Sequence, residues 1–439
     1  MSTAYNDPGS APLPALRARV DGAVDRGAAA IVRALGSEAF FIAVLAVFAL
    51  SSGLIAATIL RSVYDEHWHL GIVEAYATQW SPRLVNGPST LGLGDVQHTG
   101  SFLYHWLASY PHRVFQALWG DGYGSLVASR LVGVALVTGG LVVWRRALLQ
   151  ITTSRAVVHT TIALMTTIPL LGFVAATINY DNLLFLLAAA WFLSVFRLAR
   201  TDGADPLAWA WMLVFGLAGS ITKFAFVPVF AAVVVYLLVR HSATIVRAVR
   251  VRRPRRPVDW RRAALPGALL VLLLIPVFTR YFTNLISFGS PDPDCGDVAA
   301  HDYCMTYGVY ARNDGFANQV REPGDSSFGY YVSTFFNEWM RGVVSTMSWM
   351  GVRGDDNAIS DTFGGLVTRP VVWLSAIVVL ALSLLLGRAV EGRFRLPVWI
   401  AIGVHSVALY TLNYSNLLKH GLLYAYSGRY FFPYLVAVI

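Results

Sequence analysis

Apolar runs long enough to cross a bilayer alternate along this chain with short polar segments, and the alternation predicts an all-helical, polytopic membrane protein. The first run covers about residues 39 to 61, and others follow at about 125 to 144, 156 to 175 and 181 to 196. From Leu207 to Val239 the chain stays apolar, with a single charge, Lys223, near the middle. Later runs cover about 263 to 282, 367 to 386, 397 to 413, and 424 to Ile439. About twenty helical residues rise about 30 Å, the thickness of the hydrocarbon layer, so most of these runs suffice for one crossing. Between the first two, 101 to 119 (SFLYHWLASYPHRVFQALW) is rich in aromatics and carries Pro111. That composition predicts short helices lying in the interface and interrupted at the proline.

Charge orients the runs. Arg145 and Arg146, Arg197 and Arg200, the arginines from Arg240 to Arg262, and Arg388, Arg393 and Arg395 mark cytoplasmic segments. Segment 62–124 sets Arg83 and Arg113 against Asp65, Glu66, Glu74, Asp95 and Asp121, and segment 283–366 is acidic, so both are expected on the exoplasmic side. Arginines flank the Leu207–Val239 run on both sides, so it must cross an even number of times. Two short helices joined near Gly219–Lys223 satisfy this and put Lys223 at or just below the exoplasmic surface. The sum is about ten transmembrane helices with both ends cytoplasmic. Residues 1–38, with Arg17, Arg19, Arg26 and Arg33, read as a mobile start followed by a basic amphipathic segment on the cytoplasmic leaflet, and 39–439 as one transmembrane domain. No cleavable signal peptide is evident. The chain stops within an apolar run without a cytoplasmic cap, as a truncated chain would.

The 439 residues are 56% hydrophobic and 13% charged, with a mean hydropathy of +0.55, too apolar for a soluble protein of this length. A net charge of +9 would suit nucleic acid if it were spread over one surface, but it lies in the loops between spans, so the expected partner is the bilayer and not nucleic acid. Cys295 and Cys304, the two cysteines, are close enough in a polar segment to form a disulfide in an oxidising compartment. Asp292, Asp294 and Asp297 hint at a calcium loop but lack the glycine and closing glutamate of an EF-hand. His98, His105 and His112 recur every seven residues, yet Pro111 is expected to interrupt any helix they share, so no metal site is read there.

With this topology four polar elements meet at one membrane face: Asp65-Glu66-His67-Trp68-His69, Tyr180-Asp181-Asn182, Thr222-Lys223 and Gly428-Arg429-Tyr430. Ionisable groups at a bilayer are costly and are kept for a task. A carboxylate such as Asp65 suits a general base toward a hydroxyl, and Lys223 with Arg429 suits a leaving phosphate on which charge develops. Glu66 either shares the base role or holds a divalent cation, and the sequence does not separate the two. His67, His69, Tyr180 and Asp181 complete the candidate substrate-binding set. Each group also has a structural reading: Lys223 snorkels, Arg429 pairs with Asp181, and Asp181 caps the fourth span.

An acidic pair after the first span, a long first exoplasmic loop with interface helices, and a lysine in a short hairpin resemble the GT-C glycosyltransferases, among them the protein O-mannosyltransferases and aminoarabinose transferases. Asp65-Glu66-His67, Asn179-Tyr180-Asp181-Asn182-Leu183 and Ser427-Gly428-Arg429-Tyr430-Phe431-Phe432-Pro433 are further similar to a bacterial family of GT-C-like multi-spanning proteins. The resemblance covers roughly 39 to 439. It implies a GT-C-like helix bundle in the bacterial plasma membrane that moves a sugar from a polyprenyl phosphate to an envelope glycan, lipid or protein on the exoplasmic face. It implies inversion at the anomeric carbon, with Asp65 as base. His67 and His69 are not general in that class, and the soluble C-terminal domain of many members is missing here. The competing reading is a transporter or flippase for a lipid or polar solute. It would place ionisable residues in the membrane too, but no internal repeat of the kind transporters carry is apparent.

Overall fold

A computed structural model describes residues 13–59, 65–250, 260–317, 327–332, 390–420 and 428–435. Among these residues the regular structure is helical throughout, with no strand. Helix α1 (Leu13–Leu35) leads into α2 (Glu38–Thr58), the first apolar run. Ser37 starts α2 by accepting the Phe40 amide on its hydroxyl, and Glu38 lies at the positive end of the helix dipole. Next come α3 (Glu66–Ala77) and α4 (Leu103–Trp119) of the first long loop, then α5 (Tyr123–Leu148), α6 (Arg155–Thr166), α7 (Pro169–Ala175) and α8 (Tyr180–Arg200). The hairpin is α9 (Pro206–Thr222) and α10 (Val227–Arg240), joined through Lys223 and a 3-10 turn, Phe224–Phe226. After α11 (Ser242–Arg250), α12 (Trp260–Pro276) passes through a π-helical turn, Val277–Phe282, into α13 (Thr283–Phe288). Three short helices, α14 (Cys295–Val298), α15 (His301–Met305) and α16 (Gly308–Ala317), precede α17 (Gly392–His420), and Gly428–Phe431 with α18 (Phe432–Leu435) close the described chain.

Among the described residues five helices are long and apolar enough to span a membrane: Glu38–Thr58, Tyr123–Leu148, Tyr180–Arg200, Arg261–Phe288 and Gly392–His420. By length and composition these are the helices of a helical membrane protein. The expected crossing at 367–386 and half of that at 424–439 lie outside the described residues, as do residues 60–64 ahead of Asp65. The expected crossing at 156–175 is not one helix. It is the pair α6 and α7, bent by 74°. Pro169 causes this, because it has no amide hydrogen to continue α6 and it holds Ile168 extended, so the chain starts a new helix on the proline.

Helix α8 is buried on most sides against α5 and α9, and Trp144, Trp191, Phe192 and Phe196 form the centre of the core. Gly133 and Gly140 let α5 approach: a Cβ on Gly133 would lie 2.5 Å from Asn182 Nδ2, and one on Gly140 2.6 Å from the Phe185 ring. The arginine-bearing ends gather at one side of this core. Glu38 pairs with Arg145 and Arg155, and Arg393 reaches the Ala199 carbonyl and Asp202. The candidate site lies at the other ends of the same helices.

Candidate functional site

Asp65 is the residue before α3, with φ +48° and ψ 12°, a left-handed backbone that aspartate tolerates better than most residues. Its carbonyl accepts the His69 amide at 3.0 Å, so α3 begins on it, while its side chain stays 60% exposed. Arg429 Nη2 comes to 3.7 Å from its carboxylate. The next residue has a different setting. Glu66 is buried, and its carboxylate takes Arg130 Nε at 2.9 Å and Nη2 at 2.7 Å. The Ile178 amide donates to the same carboxylate at 2.8 Å. Arg130 also donates to the carbonyls of Ala56 and Ile59 at the end of α2, where helical carbonyls have no partner of their own. One buried ion pair thus ties α2, α3, α5 and the turn before α8. With both oxygens engaged, Glu66 is not presented as a base.

At the start of α8, Asn179 rather than Asp181 is the cap, accepting the Asp181 amide at 2.9 Å. Asp181 instead pairs with Lys223, Nζ to Oδ1 2.6 Å, both side chains buried. The ammonium lies 4.6 Å from the ring centroids of both Tyr180 and Tyr430. Lys223 reaches this place because α9 ends on it in an extended conformation. Two bonds hold that break: Ser101 Oγ accepts the Phe224 amide, and the Ile221 carbonyl accepts the Phe102 amide, each at 3.0 Å. Arg429 thus reaches the Asp65 carboxylate while Asp181 is held by Lys223, and Lys223 is fixed in place rather than snorkelling.

His69 joins the cluster by a route the sequence did not disclose. Its Nδ1 lies 2.8 Å from His105 Nε2, the two rings stack at 5.1 Å, and the Tyr180 ring meets His69 edge-on at 4.6 Å. Burial holds His105 down to about 3, and burial with His105, Arg429 and Lys223 nearby holds His69 well below its ordinary 6.5. Both imidazoles are therefore neutral near pH 7. His67, two residues before His69, is exposed. Helix α4 runs unbroken through Pro111. The one amide bond the proline removes is offset by packing on α3 and α5, a His112–Ser129 bond at 2.8 Å, and Arg113 on the Tyr76 carbonyl at 2.6 Å. Of the heptad histidines, His105 and His112 share α4, whereas His98 pairs with Asp95 at 3.0 Å.

Three residues that matter here, Arg130, Tyr307 and His405, were not singled out by sequence reasoning, and His105 was weighed only as a metal ligand. Arg130 was legible as a lone charge early in the second span, and His105 was obscured by the expected break at Pro111. Tyr307 and His405 gave no local signal. Tyr307 stacks on Trp68 at 6.2 Å, and His405 packs against Phe431 at 5.3 Å beside the Gly428–Phe431 turn.

Cys295 and Cys304 form a disulfide, as expected. The aspartates weighed as a calcium loop have protein partners: Asp294 and Asp297 cap α14, and Asp292 accepts the Gly100 amide at 3.5 Å. Nor do the residues fit a divalent cation near Asp65, because Glu66 is committed to Arg130 and a guanidinium faces Asp65. Among the described residues no group of three His, Cys, Asp or Glu side chains comes together to hold a metal ion. The chain matches no protein-family model, no curated protein and no solved structure.

Proposed function

We propose that this protein is a GT-C-like glycosyltransferase of the bacterial plasma membrane, which moves a sugar from a polyprenyl phosphate to an envelope acceptor on the exoplasmic face. The observation that carries this reading is the different state of three neighbouring carboxylates. Glu66 and Asp181 are neutralised in buried pairs, whereas Asp65 is exposed beside Arg429. In the reaction, an acceptor hydroxyl attacks the anomeric carbon and gives its proton to Asp65. The bond from that carbon to the phosphate oxygen breaks, and its electron pair leaves with the polyprenyl phosphate, which inverts the centre. Arg429 and Lys223 face the charge that grows on the leaving phosphate. Asp181 and the two tyrosine rings hold the Lys223 ammonium in position beforehand. His69, fixed by His105, offers a neutral hydrogen-bonding edge to the sugar, with Tyr180 beside it and His67 at the entrance.

A lipid-linked donor is further supported by an apolar groove of about 820 Å³ lined by Val271, Leu274, Ile275, Phe278, Phe282 and Leu285. Tyr281 also lines it, and its hydroxyl donates to the Ser220 carbonyl at 2.5 Å, three residues before Lys223. A prenyl chain in the groove would bring its phosphate toward Lys223.

The test is transfer from a labelled polyprenyl-phosphate sugar by purified protein. Asp65→Asn keeps the shape but cannot take a proton, so donor binding should survive while turnover falls about 100-fold or more. Lys223→Met and Arg429→Met should weaken donor binding as well as turnover, because the phosphate is charged before and during the reaction. Parental turnover in Asp65→Asn rejects the assignment of the base. Movement of intact lipid across the bilayer without transfer would establish the flippase reading instead.

A further inference from the structure

Beside the catalytic cluster is a second pocket of about 330 Å³, built on the disulfide-closed segment. Cys295 forms part of its wall, and Asp294, Tyr307, Tyr310, Asn313 and Asp314 line it. The volume is at the lower end of the range of small-molecule sites, about 300 Å³ upward. Tyr310 is fixed by its fit against Gly296, where an added Cβ would lie 2.7 Å from the phenol oxygen, and by an edge contact with His301 at 6.0 Å. Arg312 donates to Asn313 Oδ1 at 3.0 and 3.2 Å, which turns the amide nitrogen away as a donor.

We infer that this pocket binds the acceptor and that the acceptor is a neutral saccharide. Tyrosine faces are electron-rich and match the weakly positive C–H face of a pyranose, and carboxylate and amide groups match its hydroxyls. Charge narrows the choice. Lys419 Nζ stands 3.9 Å from Asp294, and the Arg312 guanidinium is bonded to Asn313, so positive charge stands at the pocket beside its carboxylates and an uncharged ligand is favoured. The pocket is also continuous with the proposed base. Tyr307 lines it and stacks on Trp68, three residues beyond Asp65, and burial together with the Asp65 charge pushes the Tyr307 hydroxyl up to about 12. A sugar lying on Tyr310 can thus present a hydroxyl past Tyr307 toward Asp65. This acceptor role builds on the transferase reading above, but saccharide binding needs neither donor nor turnover.

The experiment is equilibrium binding of mannotriose, maltotriose and N-acetylglucosamine trimer to full-length protein in nanodiscs, read by intrinsic fluorescence without donor. At least one trisaccharide should bind. Tyr310→Ala and Asn313→Ala should each weaken it about tenfold or more, whereas Tyr310→Phe, which keeps the ring and its packing, should stay near parent. Asn313→Ala leaves the Tyr310 packing alone, so its effect does not depend on the fold of the loop. Absence of binding by all three sugars, or preferential binding of a lysine tripeptide, overturns the inference. If sugars bind through Tyr310 but the parent transfers nothing from any donor, the transferase reading falls and the pocket stands. Transfer without saccharide binding removes the pocket alone.

Discussion

Asp65 and Glu66 are adjacent carboxylates whose surroundings give them opposite work, and the difference predicts opposite responses to the same substitution. Glu66→Gln would leave the Arg130 guanidinium buried without its counter-charge, a loss of about 3 to 5 kcal/mol for a pair of this kind. Asp65→Asn removes a charge that is largely in solvent, and should leave thermal stability close to parental. Thermal unfolding of the two variants checks this. Adding Arg130→Met to Glu66→Gln should recover part of the loss, because the orphaned charge goes with it. The His69–His105 pair gives a pH dependence. Both groups are held below 6.5 by burial, so the unfolded chain binds more protons than the folded one once pH drops below that value. Their contribution is fully present above about pH 6.5 and is lost on acidification toward their folded values. For His105, at about 3 when folded, the loss at pH 5 is about 2 kcal/mol. The melting temperature should fall between pH 7.5 and 5, and His105→Gln should flatten that slope. An unchanged slope in the variant would mean that other groups control acid stability.

At the scale of elements, much of the bundle was readable from the apolar runs, and its departures have local causes. The first, second and fourth runs became α2, α5 and α8 with slightly moved ends, and the argument from flanking arginines gave the α9–α10 hairpin with Lys223 at its turn. The two prolines show why local rules gave mixed results. Pro169 starts a new helix because the residue before it, Ile168, is extended and the chain bends by 74° there, with α2 and α5 packing on both halves, whereas Pro111 leaves α4 unbroken, because α3, α5 and side-chain bonds from Arg113 and His112 hold both halves of α4. The loss of one backbone bond is small enough for tertiary contacts to decide the result. The disulfide was legible from spacing, but its purpose was not. It closes a segment whose Tyr303 hydroxyl meets Thr90 at 2.9 Å and whose Thr306 hydroxyl accepts the Gly92 amide at 3.0 Å, fastening the second long loop to the first. Loop closure over nine residues contributes about 2 to 3 kcal/mol by chain entropy. Cys295→Ser with Cys304→Ser should therefore speed hydrogen exchange across α14 to α16 and leave α5 and α8 protected. Equal exchange in both regions would show that the disulfide supports the whole bundle.

The site itself belongs to the whole molecule: Asp65, Asp181, Lys223 and Arg429 come from four separated stretches, and only packing against α8 brings them together. Sequence reasoning reached the set by assigning each stretch to the same membrane face, which is a statement about depth. It could not say which acid met which base, because partner choice depends on where α9 breaks and on the turn that carries Arg429. The distribution of charge over the bundle supports the assignment of faces. Glu38, Arg145, Arg155, Arg200 and Arg393 gather at one end of the described helices, and the Asp65–Lys223 cluster lies at the other. Under the positive-inside rule the arginine end is expected to face the cytoplasm. The disulfide leaves no free native thiol among the described residues, so single introduced cysteines report this without background. Gly315→Cys, on exposed α16, should react with a membrane-impermeant maleimide in intact cells. Asp202→Cys, in the exposed turn between α8 and α9, should react only after the membrane is opened. The reverse pattern would put Asp65 in the cytoplasm, with the disulfide segment in a reducing compartment. The proposed site would then face the wrong pool of donor, and the transferase reading would fail together with the topology.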